Sequence, residues 1–111
     1  MEKLNKYRNH IIEIIKKYAN IAPSCKDMEV QAVFDRENDH YQVLNVGWQN
    51  ERRVYGCSLH IDIKNGKIWI QHNGTERRIA KELTEMGVPK EDIVLAFHAP
   101  HRRQFTGYAT D

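Results

Sequence analysis

A chain of 111 residues has room for one hydrophobic core, because two would each be too small to fold unaided. With 41% hydrophobic and 29% charged residues it falls among ordinary globular chains and outside the disordered class. The net charge of +2, with a pI near 8.6, allows contact with DNA without arguing for it, no apolar run approaches the roughly 20 residues of a membrane span, and two cysteines cannot build a disulfide framework.

The first twenty residues place Leu4, Tyr7, Ile11, Ile14, Ile15 and Tyr18 at helical spacing, and Pro23 closes the segment. This predicts an amphipathic helix from about residue 2 to 20. It carries the basic excess, with Lys3, Lys6, Arg8, Lys16 and Lys17 against Glu2 and Glu13. The opening MEKLNKYRNH mixes acid and base without an apolar stretch, so a secretory signal is not expected and a cytoplasmic location is.

From Met28 the period changes to two. Met28, Val30, Ala32 and Phe34 alternate with more polar neighbours, and Arg36-Glu37-Asn38-Asp39 turns the chain. A second strand near 40–48 puts Leu44, Val46 and Trp48 on one face, and a third puts Tyr55, Cys57, Leu59, Ile61 and Ile63 on one side. Asn65-Gly66 then supplies the two residues that a type I′ hairpin asks for. That turn pairs Ile63 with Ile68, Ile61 with Ile70 and Leu59 with His72. Centring the preceding turn on Asn50-Glu51 pairs Val46 with Tyr55 and Leu44 with Cys57. The two assignments give one consistent buried face and predict a four-stranded antiparallel meander.

Thr75 is the expected N-cap of a second helix carrying Ile79, Ala80, Leu83 and Met86, closed by Gly87 and Pro89. Ile93-Val94-Leu95-Ala96-Phe97 reads as a short buried extended run, and 98–111 as an irregular docked tail with Phe105 and Tyr108. The expected architecture is α+β in two layers: N-terminal helix, four-stranded antiparallel meander, second helix and docked C-terminal tail, in a single domain over 1–111.

Candidate chemistry is sparse. His60 and Asp62 share one strand face, yet an ion needs three or four ligands and the register supplies only Gln71 and Trp69 beside them. His72 falls on the opposite face, so no metal or other cofactor is expected. Cys57 is expected inward beside Leu44, where burial makes a poor nucleophile, and Cys25 has no base beside it in sequence. No nucleophile elbow, phosphate-binding loop or zinc-protease motif occurs. The face away from the helices is expected to carry Val33, Tyr41, Val43, Asn45, Val54, Ser58, His60, Asp62, Trp69 and Gln71. An indole near the middle of such a face needs a cover, either the tail or a second protein. The expected interaction surface is Tyr41, Val43, Arg53, His60, Asp62, Trp69 and Gln71, with His98, Arg102 and Arg103 from the tail.

The stretches DHYQVLNVGW (39–48), RRVYGCSLHIDIKNGKIWIQHNGTE (52–76), GVPKEDIVLAFHAP (87–100) and FTGYA (105–109) resemble the fdxN-element excision controlling factor family of XisI-like proteins. The resemblance covers essentially the whole chain and includes Trp48, Arg53, Gly56, His60, Asp62, Trp69, Gln71, Gly74, Thr75, Glu76, His98 and Pro100; the tail departs in its more basic His101-Arg102-Arg103. It implies a small cyanobacterial α+β protein needed, with a co-encoded companion factor, for a site-specific recombinase to excise a DNA element during heterocyst differentiation. It also implies self-association or pairing with that companion. No catalytic residue is implied, since the chemistry belongs to the recombinase. The leading expectation is therefore a non-enzymatic accessory factor acting through protein contacts. Direct DNA binding through the first-helix lysines and Arg102-Arg103 is the alternative, and a metal-dependent hydrolase at His60 and Asp62 a weaker one.

Overall fold

The computed structural model of the chain describes residues 2–20 and 26–111. Helix α1 spans Glu2–Ala19 and buries Tyr7, Ile11, Ile12, Ile14, Ile15 and Tyr18 along one stripe. Four strands follow in chain order: β1 (Met28–Asp35), β2 (His40–Gln49), β3 (Arg52–Lys64) and β4 (Lys67–Asn73). Helix α2 (Ile79–Glu85) leads through a 3-10 turn at Lys90–Asp92 to β5 (Ile93–Leu95), and a second 3-10 helix occupies Pro100–Phe105. The class is α+β, as expected, but the sheet has five strands in the order β1-β2-β3-β4-β5. The first three pairings are antiparallel, and β5 lies parallel to β4. The run expected at 93–97 is thus the last strand of the sheet, because the α2 crossover returns the chain in the same direction as β4.

Both helices cover one face. Their apolar stripes join Tyr41, Val43, Leu59, Ile61, Ile63, Ile68, Ile70 and Ile93 in one buried cluster. Each fully buried isoleucine or leucine stabilises this layer by about 1.5–3 kcal/mol. Polar ties fix α1 on the sheet: Arg8 donates to Asp39 at 2.7 and 3.1 Å, Lys3 pairs with Asp92 at 2.9 Å, and the Tyr7 hydroxyl bonds Asp92.

The Asn65-Gly66 turn forms as expected, with both residues at positive φ. Gly47 meets a different demand: the Trp48 amide bonds the Asp27 carbonyl at 3.1 Å, and a Cβ on Gly47 would collide with that oxygen. Thr75 does not cap α2. Its hydroxyl bonds Asn73 and accepts from the Arg77 amide, while Asn73 also holds the Arg77 carbonyl at 2.9 Å. This local turn consumes residues 73–77, so the helix starts at Ile79 behind an uncapped Arg78.

The main departure is in register. Val46 faces Tyr55 and Leu44 faces Cys57, as expected, but a β-bulge follows: Val43 pairs with Leu59 and His40 with Asp62. Ser58 is the extra residue. The bulge turns Tyr55 and Cys57 onto the face opposite Leu59, Ile61 and Ile63, although all five hold odd positions. Tyr41 and Val43, expected on the face away from the helices, are therefore 0% and 2% exposed beneath α1. Leu44, Val46 and Trp48, expected beneath the helices, lie on the other side. A second irregularity between His60 and Ile61 pairs His72 with His60 and Asn73 with Leu59, where an uninterrupted ladder would set His72 against Leu59.

Candidate functional site

The helix-free face has three parts. Its middle is a polar cluster. His60 and Asp62 point the same way along β3, and the bulge sets His40 of β2 directly across from Asp62. His40 Nδ1 and His60 Nε2 both lie 2.8 Å from the same carboxylate oxygen of Asp62, while the Gln71 amide donates to the other oxygen at 3.2 Å. The hydrogen bond that His40 donates to Asp62 raises the imidazole above its ordinary value, against the desolvation that would lower it. Asp62 is mostly covered, with 14% of its side chain exposed, whereas His40 is 54% exposed. A surface depression lined by Val33, Asp35, His40, Gln42 and His60 opens over the cluster.

His40 is absent from the sequence-derived surface because an unbulged ladder pairs it with Ile61 and sends it inward. His60, Asp62 and Gln71 are brought together as expected.

Toward the β2–β3 turn the face becomes apolar. Leu44, Val46, Trp48, Tyr55 and Cys57 form it, with Trp48 47% and Tyr55 70% exposed. Arg53 lies over the Trp48 ring at 5.4 Å and reaches the Gly47 carbonyl at 3.4 Å. Cys57 is half-buried on this side rather than inward beneath the helices, and its thiol bonds the Leu59 carbonyl at 3.1 Å. Cys25 lies outside the described residues.

At the β4–β5 end the tail closes the face. Trp69 is on the far side from the helices, as expected, but only 7% exposed. Its indole donates to the Lys64 carbonyl at 3.0 Å, and the ring has the Lys64 ammonium at 4.8 Å and the Arg103 guanidinium at 5.5 Å from its centroid. Arg103 also donates to the carbonyls of His98, Ala96 and Thr110 at 3.0, 3.3 and 3.4 Å, so its charge is spent within the chain. Ala109 then bridges to Val94 beside β5. Of the two covers expected for Trp69, the tail is the one present. His98 and Arg102 remain exposed beside Phe105, which is 82% exposed, and His98 rests against Phe97 with ring centroids 4.7 Å apart.

The expected surface therefore separates. Arg53, His60, Asp62 and Gln71 share the open face, His98 and Arg102 sit on the tail, Trp69 and Arg103 close on one another, and Tyr41 and Val43 belong to the core. The exposed aromatics Trp48 and Tyr55 replace them.

The family model described as XisI protein matches residues 1–110. The chain belongs to the XisI family. It is similar to the crystal structure of a XisI-like protein from Anabaena variabilis, with 50% identity, a TM-score of 0.91, and coverage of 96% of this chain and 97% of that one. It is also similar to a structure of fdxN element excision controlling factor XisI from Anabaena variabilis, at 39% identity and a TM-score of 0.87, covering 98% of this chain and 99% of that one. No curated protein matches it. Among the described residues, no helix is long and apolar enough to cross a membrane.

Proposed function

We propose that this XisI-family chain is a non-enzymatic accessory factor for site-specific excision of a DNA element, and that it works by docking on a co-encoded companion protein through its open sheet face. The family supplies the excision-control half of this reading. The observation that carries the docking half is the aromatic stripe: Trp48 and Tyr55 stand 47% and 70% exposed beside Leu44 and Val46, with Arg53 laid over the indole. Aromatic residues with an arginine are the side chains enriched at protein interfaces, and lone exposure of this kind is unfavourable in water. The recombinase is a further partner through the assembled pair. Direct DNA contact is weakened by the use of Arg103 inside the fold.

The test is co-purification and size-exclusion chromatography with the product of the neighbouring gene. Tyr55→Glu and Trp48→Glu are expected to abolish the complex while leaving the circular dichroism spectrum unchanged, and Arg102→Ala to leave it intact. A complex that survives both stripe substitutions overturns the proposal. Running the free protein on the same column reports whether the face also holds a second copy of the chain.

A further inference from the structure

We infer that His40, His60 and Asp62 form a binding site for one divalent transition-metal ion of the zinc class. The bulge at Ser58 brings His40 from β2 against a His-x-Asp pair on β3, away from the aromatic stripe. One ligand atom from each of the three residues lies within 4.8 Å of the others. The two imidazole nitrogens stand 2.8 Å from the Asp62 oxygen. Ligands about 2.1 Å from a common ion stand about 3 Å apart at octahedral angles and about 3.4 Å apart at tetrahedral ones. Each nitrogen needs to part from the Asp62 oxygen by a few tenths of an ångström, and the two nitrogens, within 4.8 Å of one another, to settle about 3–3.4 Å apart.

Two imidazoles and one carboxylate favour zinc, cobalt, nickel or iron(II) over magnesium or calcium, which prefer all-oxygen shells. The metal takes the ring nitrogens that now hydrogen-bond Asp62, so each must give up the proton it shares with the carboxylate: a neutral ring binds as the tautomer that carries its proton on the other nitrogen, and a charged ring releases one proton to water. Gln71 holds the outer oxygen of Asp62 at 3.2 Å, which leaves the inner oxygen aimed at the histidines. The depression between Val33, Asp35 and Gln42 leaves room for water to complete the coordination. Asp35, across from His40 on β1, adds negative charge to the same side. Three protein ligands with an accessible remainder is the pattern of an open metal site.

The experiment uses the full chain without an affinity tag. Isothermal titration with zinc chloride at neutral pH is expected to show one ion per chain, and cobalt(II) to give a visible absorption band that zinc displaces. His40→Ala, an exposed position that leaves the core untouched, and Asp62→Asn are expected to remove both signals. Gln71→Leu acts through Asp62 and should weaken zinc binding by about 10-fold. The His98→Ala/His101→Ala double variant should bind as the parent does. Absence of binding in the parent, or binding that depends on His98 and His101 and survives His40→Ala and Asp62→Asn, overturns the assignment.

Discussion

Replacing Tyr41 and Tyr55 by alanine, one at a time, applies the same truncation to two tyrosines whose places the β3 bulge exchanges. Tyr41 is 0% exposed and its hydroxyl bonds Asp39 at 2.8 Å, whereas Tyr55 is 70% exposed. A fully buried tyrosine removes about 200 Å² from water, equivalent to about 5 kcal/mol, and truncations of this size cost about 3–5 kcal/mol. Loss of the Asp39 bond adds about 1 kcal/mol. Tyr41→Ala is therefore expected to cost about 4–6 kcal/mol. With under a third of its surface covered, Tyr55→Ala costs at most about 1.5 kcal/mol. Urea unfolding followed by circular dichroism separates these values, since about 4 kcal/mol at a slope of about 2 kcal/mol/M moves the midpoint by about 2 M. If Tyr41→Ala is too unstable to fold, Tyr41→Phe isolates the hydroxyl and should cost about 1 kcal/mol. Two protein concentrations are compared, because association through the Tyr55 face would make the midpoint depend on concentration. Equal losses at the two sites, or a larger loss at Tyr55, would refute the register and with it the open aromatic stripe.

Acid should weaken the attachment of α1. The Arg8 hydrogen bond holds the Asp39 carboxyl below its usual range, against burial that would raise it, and the Tyr41 hydroxyl adds to the effect. Burial also opposes the lowering at Asp92, where the Tyr7 and Lys3 bonds prevail. A carboxyl depressed in the folded state contributes stability that is fully present above its unfolded value near pH 4 and lost as pH falls through the folded value. Asp39→Asn is thus expected to cost about 2 kcal/mol at neutral pH and to lose less on acidification below about pH 4, read from urea midpoints across pH. The same Asp39 bond, with burial as the larger cause, pushes the Tyr41 phenol up to about 12. Removing the lid on Trp69 should be visible by fluorescence: in a Trp48→Phe background, Arg103→Ala is expected to raise acrylamide quenching of the remaining indole and cost about 1–2 kcal/mol. Unchanged quenching would show that the guanidinium does not cover the ring.

Much of the candidate site was legible, and the missing part had a readable trace. His60, Asp62 and Gln71 share a face by simple alternation near the Asn65-Gly66 turn, where register is locally set. His40 was hidden by the unbroken odd-numbered run Tyr55-Cys57-Leu59-Ile61-Ile63 on β3. The clue lay on β2, whose apolar residues switch parity from Tyr41 and Val43 to Leu44, Val46 and Trp48. A strand that keeps strict alternation cannot bury both sets. The cover on Trp69 had only a compositional signal, since nothing local ties Arg103 to an indole more than thirty residues away.

By itself the sequence determined the first helix, the first four strands and the tight hairpin, because periodicity, breakers and the positive φ of Asn65 and Gly66 act over a few neighbours. Tertiary structure alone decided which face of β2 went under α1, and so whether His40 met Asp62 and Tyr55 met water, and that the run after α2 joined the sheet as a fifth strand parallel to β4. The reason is that local alternation offers two apolar faces on this hairpin, and only packing against a helix distant in the chain selects one of them, with a single extra residue absorbing the change of phase.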